Sequence, residues 1–260
     1  MKLRKLANYG PALILIIALL AIWQLYTQLG QVGQISPLFL PSPTAIIAAL
    51  VNNWPIIYDN TVQTMLETVL GILLATLFCL VMAILLDVSN WMRRAIYPLL
   101  VISQTIPMIA LAPLLLLWIG PDIRSKLIVV IIYCFFPIAV ACADGLASVE
   151  PELINLLRSM RATRWQILWM VRLPAAMPSF FSGLRIAATY SVVGAIFGEY
   201  VGAEKGLGIY MQRATNSFAI SQVFAAIAVT AVLSLLLFGL VSLIERIALP
   251  WYHGATYRRA

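Results

Sequence analysis

The sequence predicts an all-α integral membrane protein of six transmembrane helices, and three observations carry that prediction. Six stretches are apolar over about the 20 residues that a helix needs to cross a bilayer, roughly 11–29, 62–86, 95–118, 126–146, 174–200 and 221–245. The chain is 62% hydrophobic and only 10% charged, whereas a soluble domain is nearer half apolar and a quarter charged. The charges it does carry collect in the gaps between the stretches. Residues 1–260 read as a single membrane domain, with no soluble module, low-complexity segment or internal repeat.

The first stretch follows a basic start, "MKLRKLANYGPALILIIALLAIWQLYTQLG". Its apolar run exceeds that of a signal peptide and no small-residue cleavage site follows, so it is expected to stay as the first membrane helix. Pro41 and Pro43 then break the helical pattern. Thr44 to Trp54 suits either a short helix on the outer surface or an extended loop.

Orientation follows from the basic residues. If six helices alternate, Lys2, Arg4, Lys5, Arg93, Arg94, Arg158, Arg161, Arg164, Arg172, Arg246, Arg258 and Arg259 fall on one side, and Arg124, Lys126, Lys205 and Arg213 on the other. Basic loops stay cytoplasmic, so both termini are expected inside. The formal charge of +7 is thereby explained without nucleic acid as a partner; the bilayer is the partner it implies.

Stretches three and five are irregular. Pro107 and Pro113 each remove a backbone donor from stretch three, after Ser103, Gln104 and Thr105. Broken helices are tolerated in a bilayer where they face protein or a water-filled path. Stretch five carries Arg185 with Ser182, Thr189, Tyr190 and Ser191 nearby. A central arginine costs at least about 2.5–3.5 kcal/mol on insertion scales and so turns toward the bundle interior. Counting about 1.5 Å per residue from the cytoplasmic ends puts Gln104 and Arg185 roughly 15 Å deep. Tyr133 and Thr189 lie within about a turn of that level, and these four are candidates to line or gate a path. The alternative for Arg185 is that it only ties helices together through carbonyls. Gly183, Gly194 and Gly198 allow close helix packing.

The segment between stretches four and five, "SVEPELINLLRSMRATRWQILWMVRLP", holds four arginines and reads as a helical hairpin. Glu150 stands at a capping position, Pro151 suits the first helical position and Glu152 complements the dipole. Leu153, Leu156, Leu157 and Met160 recur on one helical face. Thr163 and Gln166 make a T-x-x-Q capping box for a second helix, in which Trp165, Leu168 and Trp169 form an apolar face. The bend falls near Arg161, Ala162 and Thr163, and Leu173-Pro174 is expected to end the second helix before stretch five. Two roles fit: an interfacial hairpin with its arginines at anionic headgroups, or a knob that docks on a cytoplasmic partner.

Cys79, Cys134 and Cys142 lie in apolar stretches and read as small core residues. His253 has no metal-ligand companions. No serine-histidine, metal or carboxylate-pair constellation suggests an enzyme, and no G-x-x-x-x-G-K-[ST] loop is present to bind ATP. The acidic residues weighed against an ion-coupled carrier, which would use intramembrane carboxylates, are Asp87, Asp144, Glu199 and Glu67, mostly at span ends. A non-transporting scaffold is the other rival.

The hairpin resembles the coupling loop of ATP-binding-cassette (ABC) importer permeases, whose motif runs E-A-A, Gly at the seventh place, then L-P. Aligned on Leu173-Pro174, Asn155-Leu156-Leu157 stand at E-A-A and Arg161 stands at the glycine, both departures from the motif. "LPSPTAI", "TMLETVLGILLA", "PMIALAPLLLLWIGPDIRSK", "VRLPAAMPSFFSGLRIA" and "GEYVGAEKGLG" follow in the order seen in the nitrate/sulfonate/taurine-type permeases. "SQTIPMIALAPL", "LLRSMRATRW" and "SGLRIAATYSVVGAIFGEYVG" look most like permeases for thiamine-precursor pyrimidines. The resemblance implies a type I ABC-importer permease fold. It implies cytoplasmic ATPase subunits that bind ATP and dock on residues of about 150–172, so no cofactor on this chain. It also implies a periplasmic or lipid-anchored binding protein, and a second permease copy completing the path.

The topology is directly testable. In a cysteine-free background, Asn53→Cys is expected to react with an impermeant thiol reagent from outside, and Ser89→Cys only after permeabilisation. The reverse pattern refutes the orientation.

Overall fold

The computed structural model describes residues 2–29, 39–88, 90–103 and 105–252. Every regular element among them is a helix: α1 (Lys2–Leu29), α2 (Pro43–Asn52), α3 (Trp54–Val88), α4 (Asn90–Ser103), α5 (Met108–Ile119), α6 (Ile123–Ala147), α7 (Pro151–Ser159), α8 (Arg164–Ile167), a π-helical turn (Leu168–Arg172), α9 (Leu173–Tyr200), α10 (Leu207–Asn216) and α11 (Ile220–Ala248). The absence of strands among the described residues follows from the solvent. In a bilayer, backbone N–H and C=O groups must be paired within the segment or within a closed barrel.

Among the described residues, four helices are long and apolar enough to cross a membrane unaided: Trp54–Leu85, Ile123–Ala147, Arg164–Tyr200 and Ile220–Ala248. The other two expected crossings differ. Stretch three divides into α4 and α5, because Pro107 stands in extended backbone (φ −65°, ψ 104°) as the residue before α5. Stretch one contributes a shorter apolar run, Leu13–Leu29, within α1. The segment after stretch one that suited either a helix or a loop is α2, begun by Ser42, whose hydroxyl accepts from the Ala45 N–H (3.2 Å), and by Pro43 at the first helical position.

α6 and α9 form the centre of the bundle, with α3 against both and α11 on the far side of α9. They run antiparallel along a seam of small residues. A Cβ on Gly198 would meet Lys126 Cα at 3.2 Å, one on Gly194 the Tyr133 ring at 3.2 Å, and one on Gly145 the Ala176 backbone at 3.0 Å. At Gly183 it would come within 2.6 Å of Ala141 Cβ and 2.7 Å of the Pro137 carbonyl oxygen. Lipid tails are as apolar as leucine, so helices in a bilayer associate through such close van der Waals packing. The buried core follows the seam: Val130, Cys134, Ile138, Ala187, Ala188, Val192 and Ala195 are all essentially inaccessible. Cys79, Cys134 and Cys142 are buried in it. From Leu13 to Leu29, α1 is mostly exposed; it touches the rest through Trp23, whose ring lies 6.1 Å from that of Phe224, and through Gln24 Nε2, which donates to Thr44 Oγ1 (3.3 Å).

The expected stop at Leu173-Pro174 is corrected. The chain passes from α8 into α9 without leaving helical conformation. Pro174 offers no N–H to the carbonyl four residues back. The π turn takes up the mismatch, with the Leu173 N–H bonding to Leu168 O five residues earlier.

The seam makes a specific expectation. Gly183→Ala should cost ~1–3 kcal/mol through overpacking, because backbone and a Cβ block the new methyl. Gly239→Ala, with nothing within 4 Å of its Cβ position, should be neutral or slightly stabilising. Thermal midpoints of the two variants in detergent, followed by gel filtration, check the contrast.

Candidate functional site

The hairpin projects from one end of the α6–α9 seam. Glu150 occupies the N-cap of α7 with Pro151 next, although the Glu150 side chain makes no cap hydrogen bond. α7 ends in a Schellman arrangement, in which the Ala162 N–H reaches back to Leu157 O (3.0 Å) and the Arg161 N–H to Arg158 O (2.9 Å). This closure needs a left-handed residue after the cap, and Arg161 takes it with φ 62°. A side chain in that region costs about 1–2 kcal/mol that glycine avoids. The next turn starts on the capping box expected from the sequence. The Thr163 N–H donates to Gln166 Oε1 (2.8 Å) and the Gln166 N–H to Thr163 Oγ1 (3.3 Å).

The two faces of α7 differ. Ile154 is buried against the body, whereas Leu153, Leu156 and Met160 are exposed, Leu156 by 58% and Met160 by 72%. Leu157 is half-buried. Trp165, Trp169 and Met170 continue the exposed apolar surface, while Ile167 and Leu168 turn inward. Arg161 and Arg164 stand exposed at the tip, with Ala162 half-buried and Thr163 exposed between them. The structure thus gathers the hairpin residues named from the sequence into one compact projection.

The candidate path residues are less concentrated. Gln104 lies outside the described residues. Thr189 and Arg185 sit one turn apart on α9, linked where the Thr189 hydroxyl donates to Arg185 O (3.3 Å). Tyr133 on α6 is elsewhere on the seam, stacked on Phe197 at 6.0 Å and against Gly194. Arg185 has a partner that sequence reasoning missed: Nη1 lies 3.3 Å from Glu245 Oε2 on α11. Glu245 is 4% exposed and Arg185 about one third exposed by side chain. The position of Glu245 at the edge of stretch six, beside Arg246, disguised it as a terminal charge.

A second buried ionic group closes the opposite end. Lys126 Nζ on α6 lies 3.1 Å from Glu67 Oε1 on α3, which also accepts from Gln63 Nε2 (2.7 Å). Beside it, Glu199 accepts from the Thr64 hydroxyl (2.6 Å) and the Gly208 N–H (2.6 Å). Thr64 Oγ1 accepts from the Leu207 N–H (2.9 Å), and Asn60 Oδ1 from the Gly206 N–H (2.8 Å). Glu67, Thr64 and Glu199 are completely buried. Gly206 has φ 135°, and a Cβ there would fall onto the Glu199 carboxylate. Three of the family-like stretches therefore meet here, through "TMLET", "PDIRSK" and "GEYVGAEKGLG". Each was visible singly; nothing in their spacing announced the convergence.

A membrane bundle built on one glycine seam, with a helical knob at one end, has the architecture of an importer permease, and the comparisons agree. The family described as "Binding-protein-dependent transport system inner membrane component" matches residues 76–248. A probable ABC transporter permease protein of Haemophilus influenzae is 38% identical over 226 residues, 87% of this chain and 91% of the relative. The formylaminopyrimidine transport permease protein ThiX of Halalkalibacterium halodurans is 37% identical over 234 residues, 90% and 92% of the two chains. Taurine, aliphatic-sulfonate and nitrate permeases match as well. In fold, the chain is similar to a chain of the MetNI methionine ABC transporter in an inward-facing conformation, with TM-score 0.60, 21% identity, and 78% of this chain and 97% of that one covered.

The protein belongs to the inner-membrane permeases of binding-protein-dependent ABC importers, of the nitrate/sulfonate/taurine type. It is a multi-pass permease subunit rather than an enzyme, and its family works with ATPase and substrate-binding partners.

The buried Glu67–Lys126 pair yields a stability expectation. Lys126→Met leaves carboxylates buried without their cation and should cost about 3–5 kcal/mol, and adding Glu67→Leu should recover much of the loss. Thermal denaturation of the single and double variants checks the sign; a double variant no better than the single would deny the pairing.

Proposed function

We propose that this permease subunit imports a small polar organic solute, a thiamine-precursor pyrimidine, with Glu150 to Arg172 as the docking element for a cytoplasmic ATPase. One observation carries the docking reading. The hairpin projects an exposed apolar face, Leu153, Leu156, Met160 and Trp165, on a rigidly capped scaffold, in a chain without a phosphate-binding loop for ATP. ATP is bound by the partner. Both termini and the hairpin are cytoplasmic, as the basic bias requires. Two copies form the path, and a binding protein delivers solute from the other side.

The pyrimidine reading is supported by the 37% identity to the formylaminopyrimidine permease along nearly the whole chain. Sulfonate, taurine or nitrate is the runner-up, favoured by the matches to permeases of those names. A ligand screen on the cognate binding protein decides between them. In the path, Arg185 and Thr189 on α9 act with Tyr133 and Gln104. The Glu245 partner supports a positioning share in the role of Arg185. An ion-coupled carrier is disfavoured because the buried carboxylates Glu67 and Glu245 each have a basic partner and Glu199 is filled by hydroxyl and amide donors.

Docking is tested by co-purification of the ATPase with permease variants that still insert. Leu156→Asp should lower ATPase recovery severalfold, whereas Arg164→Ala should change it little, because exposed ion pairs contribute only ~0–1 kcal/mol. Full recovery of the ATPase with Leu156, Leu157 and Met160 all changed to serine would place the docking surface elsewhere.

A further inference from the structure

Beside the root of the hairpin lie two adjoining cavities that the docking reading does not use. The first encloses about 310 Å³ between the end of α3, the end of α6, the π turn and the start of α9. Leu80, Ala83, Cys142, Leu168, Met177 and Phe180 are among its walls, and every residue around it is apolar. A cavity of this chemistry excludes water and takes an apolar guest. Two of its wall residues, Leu80 and Trp169, are 37% and 59% exposed, on a surface that in a bilayer meets lipid.

The second cavity, about 240 Å³, shares Leu146 with the first and continues beneath α7. Ile154, Asn155, Arg158 and Arg172 line it. Arg158 comes from α7 and Arg172 from the π turn, so two separate elements bring arginines to the wall of one pocket. Ile154 and Arg158 are four residues apart and share a face of α7. That face is turned away from exposed Leu156 and Met160.

An apolar slot beside a pocket lined by two arginines, with Leu146 in both walls, has the sequence of chemistries of a phospholipid, chain first and phosphate second. Basic pockets between membrane helices on the cytoplasmic side receive anionic headgroups. Trp169 beside the slot is the kind of residue that sits at headgroup level. We propose that this groove binds one anionic phospholipid, its acyl chain in the apolar cavity and its phosphate at Arg158 and Arg172. The arginines of the hairpin then have separate roles, Arg158 and Arg172 facing the lipid while Arg161 and Arg164 stand at the tip.

The test uses the full-length permease in nanodiscs of equal phosphatidylglycerol and phosphatidylcholine, followed by gentle extraction and measurement of the co-purifying lipid by native mass spectrometry. Only the monodisperse fraction of each variant is read. The wild-type protein should retain phosphatidylglycerol severalfold over its share in the bilayer. Arg158→Gln with Arg172→Gln should bring retention down to the bulk ratio, and lysine at both positions should preserve most of it. Arg161→Gln with Arg164→Gln removes the same charge from the tip and should leave retention intact. Ala83→Leu, which fills the slot and spares both arginines, should also reduce it, and this variant decides the matter if the double glutamine variant does not fold. No enrichment on the wild type, equal loss from both arginine pairs, or undiminished retention with Ala83→Leu would each overturn the site. No ATPase takes part in the measurement, so its failure and that of the docking reading are separate.

Discussion

The close approach of α6 and α9 is the contact on which the other features depend. It is made where side chains are missing: Gly198 lies over Lys126, Gly194 over Tyr133, Gly183 over Pro137 and Ile138, and Gly145 over Ala176. In water, a pair of leucine-faced helices would associate to escape solvent. In lipid that drive is absent, and the closeness of the backbones supplies the attraction instead. Because the seam runs the length of both helices, it also fixes their register. Lys126 is thereby held where α3 can offer Glu67, and Ala176 is held where the hairpin enters α9.

The charges buried in the bundle follow from the same packing. An ion without a partner is expensive in a low-dielectric interior, so each serves as a constraint on which helices are neighbours. At the end away from the hairpin, Glu67 and Lys126 tie α3 to α6, and Glu199 accepts from Thr64 on α3 and from the Gly208 N–H in the first turn of α10. Nearer the hairpin, Arg185 and Glu245 tie α9 to α11, and Tyr97 donates to Asp144 (3.2 Å), tying α4 to α6. α9 is therefore held near its middle and at its far end by partners on different helices.

Local features were legible in the sequence and pairings between distant segments were not. The capping box at Thr163 and Gln166, Pro151 at the helix start, the break at Pro107 and the small residues of stretch five all follow from rules that act within a few residues, and the structure contains each of them. Arg185 announced its need for a partner, yet Glu245 stands 60 positions away (245 − 185) and beside Arg246. Only helix packing could nominate it. The π turn was missed for a different reason. Proline is a reliable sign of a missing backbone donor, but whether the chain leaves helical form or slips by one residue is decided by packing around Leu168, which is buried. The whole-helix count was blurred because hydropathy treats 95–118 as one stretch, while backbone geometry divides it at Pro107.

That slip at Leu168–Arg172 matters for how the two ends of α9 communicate. Had Leu173-Pro174 broken the helix, the hairpin would hang from a hinge, and movement at its tip would be absorbed there. A π turn keeps the hydrogen-bonded chain unbroken from Arg164 to Tyr200 while rotating the faces on either side of it relative to an uninterrupted α-helix. Trp165 and Trp169 can thus face outward while Ala176, Phe180 and Gly183 face the seam. A force applied at the hairpin acts on α9 directly, and α9 carries both Arg185, bound to α11, and Glu199, which holds the far turn.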